Sequence, residues 1–283
     1  MTGSQLLSIV TFIYGFAAFL YIFALVFKKE FPGQAATWVA LIGLSGNLAG
    51  IVLRWVESYR MGIGHAPLSN LYESLVFFSL VVTSAYLVIE YRYKSRVIGA
   101  FSTPLACLAM AYASLSPNIS DRIEPLIPAL KSNWLIAHVM TCFIGYAAFA
   151  VAFGVSLMYL ISQRQRPGGR QGSLTGRFPS AAVLDELTHQ LVMFGFLFLS
   201  VGIITGAVWA NSAWGRYWGW DPKETWSLIT WFIYATILHA RMMRGWHGRR
   251  IAYLSILGFL AVLFTYFGVN LLQGLHSYGS MNL

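Results

Sequence analysis

The run Trp214-Gly-Arg-Tyr-Trp-Gly-Trp-Asp-Pro-Lys-Glu-Thr-Trp226 sets five large aromatic side chains within thirteen residues, with Trp209 just before it and Trp231 just after. Interfacial aromatic belts scatter Trp and Tyr along a membrane boundary. This run is instead dense and broken by Gly215 and Gly219, where a missing Cβ lets the backbone lie close to a bound surface. The rings of Trp214, Trp218, Trp220 and Trp226 offer a platform of π-faces, and Arg216 and Lys223 offer positive charge. Such a loop suits a large, planar, apolar ligand with acidic substituents. Asp221-Pro222-Lys223-Glu224 also reads as a helix start, with Asp at the N-cap, proline in the first turn and Glu three residues after the cap. On that reading these residues fix the geometry of the aromatic loop; a general acid–base role for Asp221 or Glu224 is the alternative. Asn70 and Glu73 repeat the device earlier in the chain.

The other residues able to do chemistry are six histidines, at 65, 138, 189, 239, 247 and 276, and two cysteines, Cys107 and Cys142. Which of them share a face depends on the elements that carry them. The chain is 57% hydrophobic and 10% charged, against about 25% charged in an ordinary soluble domain. The blocks Leu6–Phe27, Ala36–Leu53, Val97–Leu115, Leu135–Ile161, Leu191–Trp209 and Ile251–Leu275 contain no Asp, Glu, Lys or Arg. Each is long enough to cross a hydrocarbon core of about 30 Å as a helix. Leu71–Ile89, with Glu73, and a helix from Pro222 through Ala240 bring the expectation to an all-α bundle of about eight transmembrane helices in a single membrane domain spanning 1–283.

Lysine and arginine orient that bundle. With the N-terminus outside, the inner loops take Lys28 and Lys29; Arg92, Lys94 and Arg96; Arg164, Arg166, Arg170 and Arg177; and Arg241, Arg244, Arg249 and Arg250. The outer loops take only Arg54, Arg60, Arg122, Lys131, Arg216 and Lys223. The expected orientation is therefore N-out and C-out, with an aromatic outer loop at about 210–225 and a basic cytoplasmic loop at about 163–178. The net charge of +9 is this topology signal, with attraction to anionic lipid, and calls for no nucleic acid. The first span lacks the basic leader and small-residue cleavage site of a secretory signal. Both cysteines fall mid-span and read as small apolar residues.

On this layout His138 and His276 lie on the outer face with the aromatic loop. Two neutral imidazoles on opposite sides of a planar macrocycle are what six-coordinate haem iron requires. His239 lies thirteen residues past Trp226, roughly 20 Å along a helix, at a depth where a histidine is costly and usually functional. It fits a second haem position. His189 reaches either a similar depth or the inner edge, His247 falls in a basic inner loop, and His65 is unassigned.

The Trp run, continuing to Leu238-His-Ala-Arg241, resembles the tryptophan-rich "WWD" signature of haem-handling membrane proteins, and most nearly the CcsA (ResC) family of the System II cytochrome c synthase. Pro67-Leu-Ser-Asn-Leu-Tyr-Glu-Ser-Leu-Val-Phe-Phe78 and Gly274-Leu-His-Ser-Tyr278 are similar to the same family, so the likeness runs from about residue 60 onward. The resemblance implies that His138 and His276 are the outer axial ligands of haem b held at the Trp-rich loop, and that His239 is the intramembrane ligand nearer the cytoplasm. Its counterpart in the family comes from a CcsB (ResB) membrane subunit. It further implies haem export and covalent attachment to the Cys-x-x-Cys-His motif of apocytochrome c, that is, cytochrome c haem lyase activity within a complex. The implied partners are CcsB, apocytochrome c, a thiol-reducing thioredoxin-like protein and the bilayer. The implied site is the outer face of a bacterial plasma membrane, with a thylakoid membrane left open. No catalytic residue is assigned. Two alternatives stand beside this reading: a haem transporter or chaperone without synthase activity, as in the CcmC and CcmF relatives, and a non-haem transporter whose loop binds a quinone or lipid.

Overall fold

The computed structural model describes residues 1–164 and 174–272. The regular elements described are all helical: α1 (Gly3–Phe27), α2 (Glu30–Arg60), α3 (Leu71–Tyr93), α4 (Gly99–Leu115), α5 (Asn133–Gln163), α6 (Ala181–Trp214), α7 (Pro222–Arg244) and α8 (Arg249–Tyr266), with short 3₁₀ turns at Arg96–Ile98, Pro128–Leu130, Leu174–Arg177 and Gly268–Leu271. Among the described residues, seven helices are long and apolar enough to cross a membrane, α4 counted with the turn before it. Their outward faces carry side chains such as Phe12, Phe16, Trp38, Leu197, Ile204 and Leu257, a surface that hydrocarbon solvates and water does not. The chain is an all-α, multi-pass membrane helical bundle. The eighth helix, α7, has 23 residues, enough for about 35 Å, but Lys223, Glu224, Arg241 and Arg244 make it more polar than the other seven.

The helix ends depart from the uncharged blocks that signalled them. α6 begins at Ala181 and not near Leu191, so Asp185, Glu186 and His189 are helical. It also runs on to Trp214, and α7 starts at Pro222, so the connecting loop is Gly215–Asp221 where the sequence suggested about 210–225. α8 stops at Tyr266, short of Leu275, where the bare Cα of Gly268 lies against the Phe264 ring. Hydropathy marks hydrocarbon depth, but backbone hydrogen bonding continues a helix into the interface until a cap ends it. Gly215 supplies one such end, with φ 74° and its N–H donated to Asn211 O at 2.9 Å. Of the basic loop at 163–178, residues 165–173 lie outside the described residues; Arg177 donates to Ala24 O at 3.5 Å.

Packing divides the chain into two compact units, one of Met1–Pro125 with Leu157–Leu184 and one of Leu126–Ser156 with Asp185–Leu283. In the first, α2 presents Gly43, Gly46 and Gly50 to α1, where an added Cβ would come within 2.9 Å of Tyr14, Val10 or Leu7. Small residues let two membrane helices approach closely where lipid supplies no hydrophobic drive. A buried ion pair joins α2 to α3. Arg54 and Glu73 are each 2% exposed and meet at 2.9 Å. Arg54 also donates to Ser4 Oγ and Asp121 O, each at 2.7 Å, and its guanidinium lies 4.9 Å from the Tyr72 ring centroid. Glu73 accepts from the N–H and hydroxyl of Ser69, while its own N–H donates to Asn70 Oδ1. Glu73 thus takes part in the expected helix start but reaches back to Ser69, and its main work is to neutralise Arg54.

A buried pair that loses one member leaves an uncompensated charge. Glu73→Ala should therefore cost roughly 3–5 kcal/mol, read as a lower melting temperature of the detergent-purified protein. Arg54→Met with Glu73→Leu should recover part of that loss, and an unchanged melting point in the single variant would show the pair to be inert.

Candidate functional site: the tryptophan loop and His138

His138 stands on the first turns of α5, where that helix meets α6. The contact is made by absence: a Cβ on Gly206 would fall 2.6 Å from His138 Nδ1, and one on Gly202 would fall 2.6 Å from Cys142 Sγ. With both positions bare, His138 Nδ1 lies 2.7 Å from Gly202 O. A carbonyl oxygen can only accept, so Nδ1 carries the proton and Nε2 keeps its lone pair. This is the arrangement that fixes a ligating imidazole, with one nitrogen donating to the backbone and the other left to a metal. The ring stacks on Trp209, 5.9 Å between centroids and 13° between planes. Trp209 is 3% exposed and is pinned by its indole N–H to Ala129 O at 2.9 Å.

The Trp loop continues directly from that indole. Trp214, at the end of α6, packs edge-on to Trp209 at 4.9 Å, and Trp218 and Trp220 meet edge-to-face at 5.7 Å. Trp226, in the first turns of α7, lies 4.2 Å from Phe264. Trp220 is 69% exposed and holds φ 56°, a left-handed conformation that a bulky residue adopts only when its surroundings impose it. The imposition is local. Glu224 accepts from the N–H of Gly219 at 2.7 Å and of Asp221 at 3.2 Å, one on each side of Trp220. Asp221 caps α7 in a reciprocal capping box. The helix-start reading of Asp221 and Glu224 therefore holds, and the same carboxylate also bends the loop so that an indole is displayed. Arg216 is exposed, and its guanidinium lies over Gly219, where a Cβ would meet it at 2.7 Å. Lys223 stands in the first turn of α7, its backbone N–H donated to Asp221 Oδ1 at 2.9 Å.

The remaining histidines separate cleanly. His239 is exposed on α7, directed away from the packing of its own chain. His189, on α6, has a buried Nδ1 without a hydrogen-bond partner. It lies among the charges of Asp185, Glu186, Arg241 and His247, so it belongs to a polar cluster in which Arg241 pairs with Asp185 at 2.7 Å and Glu186 at 3.0 Å. His247 is exposed, with Nδ1 3.2 Å from Asp185. His65 faces the carbonyls of Ala66 and Glu124 with its two nitrogens and is held as a structural strut. His276 lies outside the described residues. The sequence reading missed Trp209 as the stacking partner, and Gly202 and Gly206 as the residues that admit the imidazole. The four-residue spacing of the two glycines on an apolar helix was the available signal.

Comparison with known proteins agrees with this architecture. The model of the Cytochrome C assembly protein family matches residues 68–276. A cytochrome c biogenesis protein CcsA of Parasynechococcus marenigrum (strain WH8102) is 41% identical over 94% of this chain and 95% of its own. One of Guillardia theta is 40% identical over 93% and 91%. Among solved structures, the cytochrome c haem lyase CcmF superposes with a TM-score of 0.69 at 17% identity over 96% of this chain; the chain spans half the length of that protein, and the likeness is one of fold. A multi-pass helical bundle with a Trp-rich loop, matched by that family model over residues 68–276, is a membrane protein of cytochrome c assembly. Within that class the chain belongs to the CcsA family of cytochrome c biogenesis proteins.

Because the imidazole occupies the space a Cβ would fill, Gly206→Ala should displace it. Haem copurifying with that variant should show a shifted Soret maximum, with wild-type-like absorbance partly regained in millimolar imidazole. A Soret band identical to wild type would mean that His138 does not ligate haem.

Proposed function

We propose that the chain carries haem b across the membrane and presents it, on the outer face, for covalent attachment to apocytochrome c, as part of a lyase formed with a CcsB-type membrane subunit. The observation that carries this reading is His138, whose Nδ1 is committed to Gly202 and whose ring continues, through Trp209 and Trp214, into the Trp loop. His138 is one axial ligand in this scheme and His276 the other. Trp214, Trp218, Trp220 and Trp226 supply ring faces for the macrocycle, and Arg216 supplies charge for its propionates, with Asp221 and Glu224 holding the loop in shape.

His239 is the entry ligand. Its depth along α7 is too great for it to reach the iron bound by His138. Its exposure on the chain's own surface supports a second axial ligand from the partner subunit. Each thioether forms when a cysteine S–H adds across a vinyl C=C, sulfur to the inner carbon and hydrogen to the terminal one. The step needs no oxidant but does need a free thiol, which is the place for a thioredoxin-like reductant. The histidine of the Cys-x-x-Cys-His motif then displaces one protein ligand from iron.

His138→Ala should leave the outer haem five-coordinate and more weakly held, with imidazole restoring both the spectrum and cytochrome c output in a co-expression reporter. In the same assay His239→Ala should lower haem occupancy without altering the coordination of the haem that remains. A wild-type spectrum and output for His138→Ala would end the axial-ligand assignment. Normal holoprotein spectra with no covalent haem in the reporter, even with CcsB present, would favour the chaperone.

The proposed setting is a bacterial plasma membrane or a thylakoid, N-out and C-out, supported by basic residues on the α1–α2, α3–α4, α5–α6 and α7–α8 connections. Alkaline phosphatase fused within Ser116–Asn133 should be active and one fused within Gln163–Phe178 inactive; the reverse pattern would move the Trp loop to the cytoplasm.

A further inference from the structure

A second built site lies in the first unit, at the end of α3 that carries Arg92 and Lys94. A cavity of about 500 Å³ opens there between α2, α3 and the turn that follows, lined by Thr37, Leu41, Leu87, Glu90, Tyr91, Lys94 and Arg96. Its floor is the Glu90 carboxylate, which is fully engaged. Thr37 donates to it at 2.6 Å and Tyr21 at 2.8 Å, Tyr86 donates as well, and Arg96 Nε lies 3.4 Å away. Glu90 therefore fixes the position of Arg96 and has no oxygen left for a ligand. The Arg96 stem rests over Gly33, and the side chain as a whole is 45% exposed, so its terminal nitrogens are presented as an oriented fork. Lys94 sits at the left-handed C-cap of α3, φ 51°, with its ammonium 4.1 Å from the Tyr91 ring centroid. Two positioned cations thus flank a cavity whose single carboxylate is already neutralised.

The walls are apolar. Leu41 and Tyr91 are exposed, and they run into the outward face that Trp38, Ile42 and Val88 present to hydrocarbon. A soluble anion would use the two cations but leave these walls in contact with water. An anion joined to an acyl chain satisfies both. Arginine's planar fork matches the oxygens of a phosphate, and lysine adds a point charge beside it. We propose that this cavity binds the phosphate headgroup of an anionic phospholipid between Arg96 and Lys94, with an acyl chain laid along Leu41 and Leu87.

The test is native mass spectrometry of the full chain released from nanodiscs of equal dioleoyl-phosphatidylglycerol and dioleoyl-phosphatidylcholine. Wild type should retain phosphatidylglycerol preferentially. Each cation removed should reduce that preference about fivefold. Lys94→Asn is the informative variant, because Asn tolerates the left-handed cap and Lys94 makes no contact with Glu90. Arg96→Gln should act in the same direction, and Lys94→Asn decides the matter if loss of Arg96 unfolds the protein. A Lys94→Asn variant that melts as wild type does and keeps the wild-type lipid ratio would overturn the proposal. So would displacement of the lipid by millimolar inorganic phosphate, which would make this a free-anion site, or by stoichiometric haemin, which would make it a porphyrin site.

Discussion

The bond from His138 Nδ1 to the carbonyl of Gly202 is the interaction on which the site depends. It exists because α5 and α6 approach more closely than side chains normally allow, and they do so because positions 202 and 206 carry none. In a membrane, where lipid is as apolar as leucine, such proximity comes from shape and hydrogen bonding. One packing decision thereby selects a tautomer, holds a ring plane parallel to Trp209 and leaves a single nitrogen available. Chemistry at iron would then be an outcome of helix packing.

The loop beyond it follows a related logic. Trp220 is held in a backbone region it does not prefer, and the strain is met by two N–H donations to Glu224, a residue already needed to cap α7. One carboxylate serves both to begin a helix and to set an indole outward. The first unit uses its acids differently. Glu73 neutralises Arg54 in the core, and Glu90 orients Arg96 at a cavity mouth. These three buried or half-buried carboxylates thus act on neighbouring groups.

Much of this was legible in the residues. Uncharged blocks announced the helices, and the Asp-Pro-Lys-Glu run announced both the start of α7 and its capping. The Trp run and His138 announced the candidate site, because aromatic density and a histidine near the end of an apolar block are local features. Helix ends were not legible: hydropathy reports depth, whereas caps and interfacial turns decide where a helix stops, so α6 gained residues at both ends. Nor was the support of His138. Gly202 and Gly206 matter for what they let pass, and a pairing between α5 and α6 cannot be read from either helix alone. The roles of His65, His189 and His247 were likewise set by tertiary neighbours, two carbonyls in one case and a charged cluster in the others.

α6 contains 34 residues, a rod of about 51 Å in a medium whose hydrocarbon layer is about 30 Å thick. The uncharged block Leu191–Trp209 is long enough to cross that layer, so the residues of α6 on either side of it extend beyond the acyl chains. Its polar end, with Asp185 and Glu186, is suited to the headgroups, while the opposite end carries Trp214 and leads into the Trp loop. On the function proposed above, helix length would act as a stand-off, setting the height at which a lipid-soluble cargo is offered to a water-soluble acceptor.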